Sequence, residues 1–305
     1  MTRFMTVATI RFFGLTLVLA GLGVPPTHLA TAQPPQSEYR ARPKPRSSSG
    51  GQRQTPSQKA SNTLLPFFDQ THNPVSVGVP KNRKVDITPP PPPLNAFDQK
   101  VLATCGAFGS QVSAIALRRL FSQSPEVVQN IKAAVGGELF AGRRSDDQFR
   151  DDLVSIWTGR KGFEHIFCGE IRGAKQIGGL HFRGRYLQLQ SEGIGGRLAN
   201  NLRAEEVLDG AIYTLGVEVR QGNRVIRDDK KGYSYVSDAE ELLTQASQAF
   251  KGFSSKSSGK EACLFTVVEP DAQQPFKAVF VKTERAIVTF YPDATPKPGE
   301  PTCDR

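Results

Sequence analysis

The 305-residue chain has no apolar run long enough to cross a bilayer, no C-x-x-C pair, no internal repeat and only four histidines. A membrane-spanning helix needs about 20 consecutive apolar residues. The longest run here, residues 12–24, falls short, so the sequence offers no spanning helix. Without a C-x-x-C, a zinc ribbon or a thioredoxin-like redox site has no support. The scarcity of histidine narrows any imidazole chemistry to a few positions. His28 lies in the N-terminal leader and His72 in a proline-rich stretch, which leaves His165 and His181 for the folded part.

Three regions differ in composition. Arg3 and Arg11 precede the apolar run, and Ala30-Thr31-Ala32 follows it with small residues at cleavage spacing. That arrangement predicts a signal peptide over 1–32, export to the periplasm or medium, and no stable membrane insertion after cleavage. Residues 33–94 are rich in Pro, Ser, Gln and Arg and end in five consecutive prolines, Pro89 to Pro93. Such a stretch predicts a disordered, partly polyproline-II linker, because it carries too little apolar surface to offset its ordering entropy. Residues 95–305 form the expected folded domain. They keep Cys105, Cys168, Cys263 and Cys303, an even set compatible with two disulfides in an exported protein, with three pairings open.

The formal net charge is +10, but its distribution is uneven. Residues 1–94 hold eleven Lys+Arg against three Asp+Glu, whereas residues 95–305 hold 28 against 26. Basicity inside the domain is therefore local. Lys161, Arg172, Lys175, Arg183, Arg185, Arg197 and Arg203 surround both domain histidines, with only three acidic residues between 161 and 203. A local field of this sign can hold phosphates.

The domain's element pattern predicts an α+β fold. Residues 97–121 and 125–135 read as helical. Ser145 with Gln148 marks a capping box ahead of the apolar stripe Phe149, Leu153, Ile156 and Trp157. Residues 212–219 alternate as a strand and turn at Gln221-Gly222-Asn223 into 224–227. Ser237 with Glu240 starts another helix, and strand-like runs at 263–268, 276–281 and 286–291 close the chain. Helices first and strands last point to antiparallel sheet.

His165 and His181 sit 16 residues apart in the most glycine-rich, most basic part of the domain, in Glu164-His165-Ile166-Phe167-Cys168-Gly169-Glu170 and Gly178-Gly179-Leu180-His181-Phe182-Arg183-Gly184-Arg185-Tyr186. Two imidazoles suit RNA cleavage. The 2′-hydroxyl must lose a proton as it attacks phosphorus, and the departing 5′-oxygen must gain one. Groups with an unperturbed pKa near 6.5 can serve both steps, and a nearby cation stabilises the phosphorane. The ribose supplies the nucleophile, so the chemistry requires no metal. A second reading of the same residues is a metal site made from His165, Cys168, Glu170 and His181.

These segments resemble the two histidine motifs of the EndoU endoribonucleases, especially bacterial members. Val288-Thr289-Phe290-Tyr291-Pro292 is similar to the family's Thr-x-Tyr-Pro segment, and Lys230-Lys231-Gly232-Tyr233-Ser234 is placed like its catalytic lysine. The four segments follow the family's order over about 130 residues, whereas residues 95–157 match less clearly. The resemblance implies an EndoU-like fold with N-terminal helices followed by antiparallel sheets that form a catalytic cleft. It implies cleavage at uridylates, giving a 2′,3′-cyclic phosphate and a 5′-hydroxyl. His165 would be the general acid, His181 the general base, and Lys231 or Lys230 the phosphorane cation. Thr289 would help select uracil, and Tyr291 would stack on the base or orient the ribose. Gly179, Arg183, Arg185 and Ser234 are the accompanying candidates for substrate contact. RNA is the implied partner. No resident cofactor is implied, and stimulation by Mn²⁺ stays open, as does any immunity or cell-envelope partner. The alternative function is a secreted, non-catalytic module that binds an acidic polymer through the same basic cleft.

Overall fold

The computed structural model describes residues 64–173, 176–254, 259–272 and 274–303. The signal peptide expected over 1–32 and the first part, 33–63, of the linker expected over 33–94 lie outside the described residues, as does Lys175. The elements run β1 (Val75–Ser76), β2 (Lys84–Val85), α1 (Ala96–Cys105), α2 (Ala114–Ser122), α3 (Pro125–Ala134) and α4 (Asp146–Thr158). A π-helical turn over Glu164–Cys168 leads into β3 (Glu170–Arg172), β4 (Gln176–Gly178), α5 (Arg183–Ser191), β5 (Gly195–Arg197), β6 (Glu206–Leu208), β7 (Ile212–Gln221) and β8 (Arg224–Ser234). The chain closes with α6 (Ala239–Gly252), β9 (Glu261–Val267), β10 (Phe276–Thr283) and β11 (Ala286–Asp293). This is the α+β arrangement that the element pattern predicts.

Local sequence explains most boundaries. Asn95 caps α1 in a capping box with Asp98, and Ser145 caps α4 with Gln148 in the same way. The helical reading of 97–121 is two helices, because Gly106 and Gly109, both at positive φ, turn the chain between α1 and α2. The box that starts α6 is Asp238 with Glu241, one residue later than the Ser237 spacing predicts. Strand β8 runs on to Ser234, so Lys230 and Lys231 stand in a strand and not beside a turn.

Two cores flank the functional residues. In one, α1–α4 and α6 pack with the sheet ordered β11-β10-β9. In the other, α5 covers a sheet in which β7 is central, with β8 on one edge and β5 and β6 on the other. All the pairings within these sheets are antiparallel. Strand β11 of the first core runs against β8 of the second.

The linker expectation is corrected for residues 64–94, which pack into the second core. Phe67 and Phe68 are buried against Tyr186 and Tyr233, and Val85 and Ile87 join the same cluster. The amide side chain of Gln190 on α5 accepts from the backbone N–H of Phe67 at 2.6 Å and Phe68 at 3.0 Å, and donates to the Phe68 carbonyl. Arg197 of β5 donates its backbone N–H to the Leu65 carbonyl at 2.8 Å. Proline-rich backbone is thus held by partners distant in sequence, which composition cannot register.

Candidate active site

His165 sits in the π-helical turn, a geometry that recurs at functional sites because it re-aims side chains. Cys168, at the end of the turn, is bonded to Cys105 of α1. The β3–β4 hairpin then brings the chain back beside the turn. Leu180 N–H donates to the His165 carbonyl and His181 N–H to the Ile166 carbonyl, each at 2.8 Å. Gly179 makes this approach feasible. Its φ is +62°, and a Cβ there would sit 1.8 Å from the His165 carbonyl oxygen. Leu180 follows at φ +73°, a strained value for a non-glycine residue, and is fully buried.

The two imidazoles end with ring centroids 5.5 Å apart. His181 stacks on Tyr291 of β11 at 5.1 Å and 25°. Its Nδ1 lies 2.8 Å from the Gly232 carbonyl oxygen of β8. A carbonyl only accepts, so Nδ1 carries the hydrogen and Nε2 is left as a bare acceptor. Burial pushes the His181 imidazolium down to about 3, and the charges of His165, Lys231 and Arg172 press the same way against the opposing Gly232 contact.

His165 is arranged differently. Its Nδ1 lies 3.1 Å from an Arg172 guanidinium nitrogen and 3.5 Å from Glu170 Oε2. When Nδ1 is bare it accepts from Arg172; when it is protonated it faces Glu170. Nε2 carries a hydrogen in the first arrangement, and in the second only when the ring is doubly protonated. The contact with His165 and the Arg172 guanidinium hold the Glu170 carboxyl at about 2, against the burial that opposes them.

The lysines arrive through a β-bulge. Lys231 pairs with Leu215 and Asp228 with Val217, so β8 holds one residue more than β7 between these pairs. A bulge re-aims side chains next to a site, and both Lys230 and Lys231 line the cleft. Lys231 is the more enclosed; it pairs with Asp228 at 3.1 Å and is one of the charges that act on His181. Lys230 is bound to Glu206.

A cleft of about 410 Å³ gathers His165, His181, Arg172, Gly179, Lys230, Lys231 and Tyr291. It holds the bare Nε2 of His181, a second imidazole whose Nε2 carries the hydrogen when Arg172 donates to its Nδ1, and three cations, the elements of coupled proton transfer at an anionic centre.

Four expected contacts do not reach this cleft. Arg185 is buried on α5, donates Nε to the Cys168 carbonyl at 3.0 Å and lies over Phe108, so it braces the His165 turn. Arg183 donates to the Tyr235 carbonyl. The Ser234 hydroxyl is buried, 2.9 Å from that of Ser237. Thr289 is buried beside the cleft's strand, and its Oγ1 has no hydrogen-bond partner among the described residues. The pairing of β11 with β10 is regular across both residues, so Thr289 shares a strand face with Tyr291, but of the two only Tyr291 lines the cleft. The alternative metal set loses Cys168, whose sulfur is in a disulfide.

Residues 159–294 match the family model of the bacterial EndoU nuclease. The matched segment is similar to the bacterial EndoU nucleases. It contains both histidines, both lysines and Tyr291, whereas residues 64–158, with the Cys105 anchor, lie outside the match. A solved structure described as "The structure of XendoU: a splicing independent snoRNA processing endoribonuclease" is similar over 68% of this chain and 78% of that one, at 14% identity and a TM-score of 0.45. No curated protein matches the chain. Within the matched segment, Glu170 and Arg172 both contact His165, a role that sequence reasoning missed: it named Glu170 only in the alternative metal set and Arg172 only in the local basic field. Their i, i+2 spacing directly after the first histidine motif puts both on one face of β3, and that spacing was the available signal.

Proposed function

We propose that this EndoU domain is an exported endoribonuclease that cuts RNA at uridylates by attack of the 2′-hydroxyl on the adjacent phosphodiester. In this reading His181 Nε2 takes the 2′-hydroxyl proton, O2′ bonds to phosphorus, and the P–O5′ bond breaks as His165 Nε2 delivers a proton to the leaving oxygen. The products are a 2′,3′-cyclic phosphate and a 5′-hydroxyl. Lys231 offsets the extra phosphorane charge, and Arg172 adds to the field while holding Nδ1 of His165. Tyr291, stacked behind His181, offers a ring face to the uracil or ribose. The single observation behind this reading is two imidazoles 5.5 Å apart in one cleft, His181 with Nδ1 on a carbonyl and Nε2 bare and His165 with Nδ1 beside an arginine donor, a contact that leaves the hydrogen on its Nε2; this supports His181 as base and His165 as acid. The family match supports a nuclease, and the paired cysteines support an oxidising, exported setting.

The test is incubation of the purified protein with oligoribonucleotides in EDTA, each carrying one uridine, cytidine, adenosine or guanosine at the queried position. Metal-independent cutting 3′ of uridine is expected. Absence of cutting in EDTA with rescue by Zn²⁺ or Mn²⁺ would overturn the acid–base reading, and retained binding without cutting under any condition would favour the polymer-binding module.

A further inference from the structure

Beside the catalytic cleft lies a second concavity of about 210 Å³. The two share Ala294, and β6 runs from one to the other: Glu206 lines the cleft, and Val207 and Leu208 line the concavity. Two residues of strand rise by about 7 Å, on the order of one nucleotide step. The opposite wall comes from the β1–β2 hairpin, fixed to β6 by the Val207 N–H, which donates to the Val79 carbonyl at 2.8 Å. Pro80 and Val85 supply apolar surface, Arg83 borders it, and Asp209 and Gln274 add polar groups. The hairpin tip carries Lys81, Arg83 and Lys84, all exposed, and none forms an ion pair among the described residues. The hairpin lies outside the segment that matches the EndoU model.

We propose that this hairpin forms a second nucleotide subsite, which takes the nucleotide flanking the cleaved one on the same RNA strand. The base lies against Pro80, Val85 and Leu208, with Asp209 at its edge, and the phosphates meet Arg83, Lys81 and Lys84. The occupant follows from three features: continuity with the cleft, unpaired cations at a rim, and an apolar wall with the polar side chains of Asp209 and Gln274, the combination that single-stranded nucleic acid requires. The inference rests on the nuclease reading.

The experiment compares the full-length protein with the triple variant Lys81→Gln/Arg83→Gln/Lys84→Gln. A dinucleotide with a 5′ uridine and a hexanucleotide with one central uridine are the two substrates. The wild type should favour the hexanucleotide in kcat/KM by about tenfold or more, and the variant should lose most of that advantage through KM. Binding of the same hexanucleotide with a 2′-deoxy uridine should lose salt dependence, its log–log slope falling by up to about 2 for three cations. An unchanged ratio and slope would overturn the proposal. An equal loss on both substrates would also overturn it, by making the cations supports of the cleft. If the wild type cuts neither substrate, the nuclease reading fails, and the salt slope alone decides the subsite.

Discussion

Replacing Gly179 with alanine should reduce uridylate cleavage by about 10²-fold or more. The added Cβ would sit 1.8 Å from the His165 carbonyl oxygen, 2.5 Å from its carbon and 2.8 Å from its Cα. These are backbone atoms with no rotamer to escape into. Reaching even 3.0 Å from the oxygen requires a retreat of about 1.2 Å, taken by the segment that carries His181 or by the turn that carries His165. A displacement near 1 Å in a catalytic pair is worth about 10²-fold. Stability should fall as well. The left-handed conformation costs an L-residue about 1–2 kcal/mol, and loss of the 2.8 Å bond from Leu180 to His165 adds about 1 kcal/mol. For a domain of this size that sum lowers Tm by roughly 4–12 °C. Gly193→Ala is the control. Its φ is +69°, but a Cβ there meets nothing within 4 Å, so it should show the conformational penalty with near-normal cleavage. Initial rates on a uridine oligonucleotide and thermal unfolding by circular dichroism measure both effects. A Gly179→Ala protein within about threefold of wild-type activity would refute the claim that backbone contact at this glycine sets the imidazole spacing.

His165→Ala and His181→Ala should each lower kcat by about 10²–10⁴-fold, checked by cleavage rates on variants whose near-ultraviolet circular dichroism matches wild type. Because His181 is held down at about 3, the acid limb of kcat/KM should lie well below the 6.5 of an ordinary imidazole. Lys231→Gln removes a cation that disfavours the His181 imidazolium, so a pH–rate profile of that variant should show the limb moved to higher pH. Lys231→Ala should reduce cleavage roughly tenfold or more, and Lys230→Ala less, since Lys230 is bound to Glu206 and is not among the charges acting on His181. Replacing Cys105 and Cys168 with serine should destabilise the fold by about 4 kcal/mol in the chain-entropy account of a bridge spanning 63 residues, read by denaturant unfolding.

The histidine pair was legible because the local sequence that brings it together is itself distinctive. Glycines at 178 and 179 permit the return of His181 onto the His165 turn, and the same glycines make the motif recognisable. Tyr291 and the two lysines were legible as segments, but the bulge that turns both lysines toward one cleft depends on pairing with β7 and left no mark in β8 alone. Arg185 reads as a phosphate ligand from its place beside His181, yet helix α5 turns it inward onto the Cys168 carbonyl. The ordered character of residues 64–94 was hidden for a related reason. Phe67, Phe68, Val85 and Ile87 follow no period, and Phe67 and Phe68 are covered by Tyr186 and Tyr233, more than a hundred positions away. Composition reports how much apolar surface a segment owns, not whether a preformed sheet and helix are waiting to cover it.

The most direct measurement is the end chemistry of the cut made by the purified protein on a uridine-containing oligoribonucleotide in EDTA, read by mass spectrometry. A 2′,3′-cyclic phosphate on the uridine and a 5′-hydroxyl on the downstream fragment are expected, with no cut where that uridine lacks its 2′-hydroxyl. A 3′-hydroxyl with a 5′-phosphate, or equal cutting of the 2′-deoxy substrate, would contradict catalysis by the two imidazoles on a ribose nucleophile.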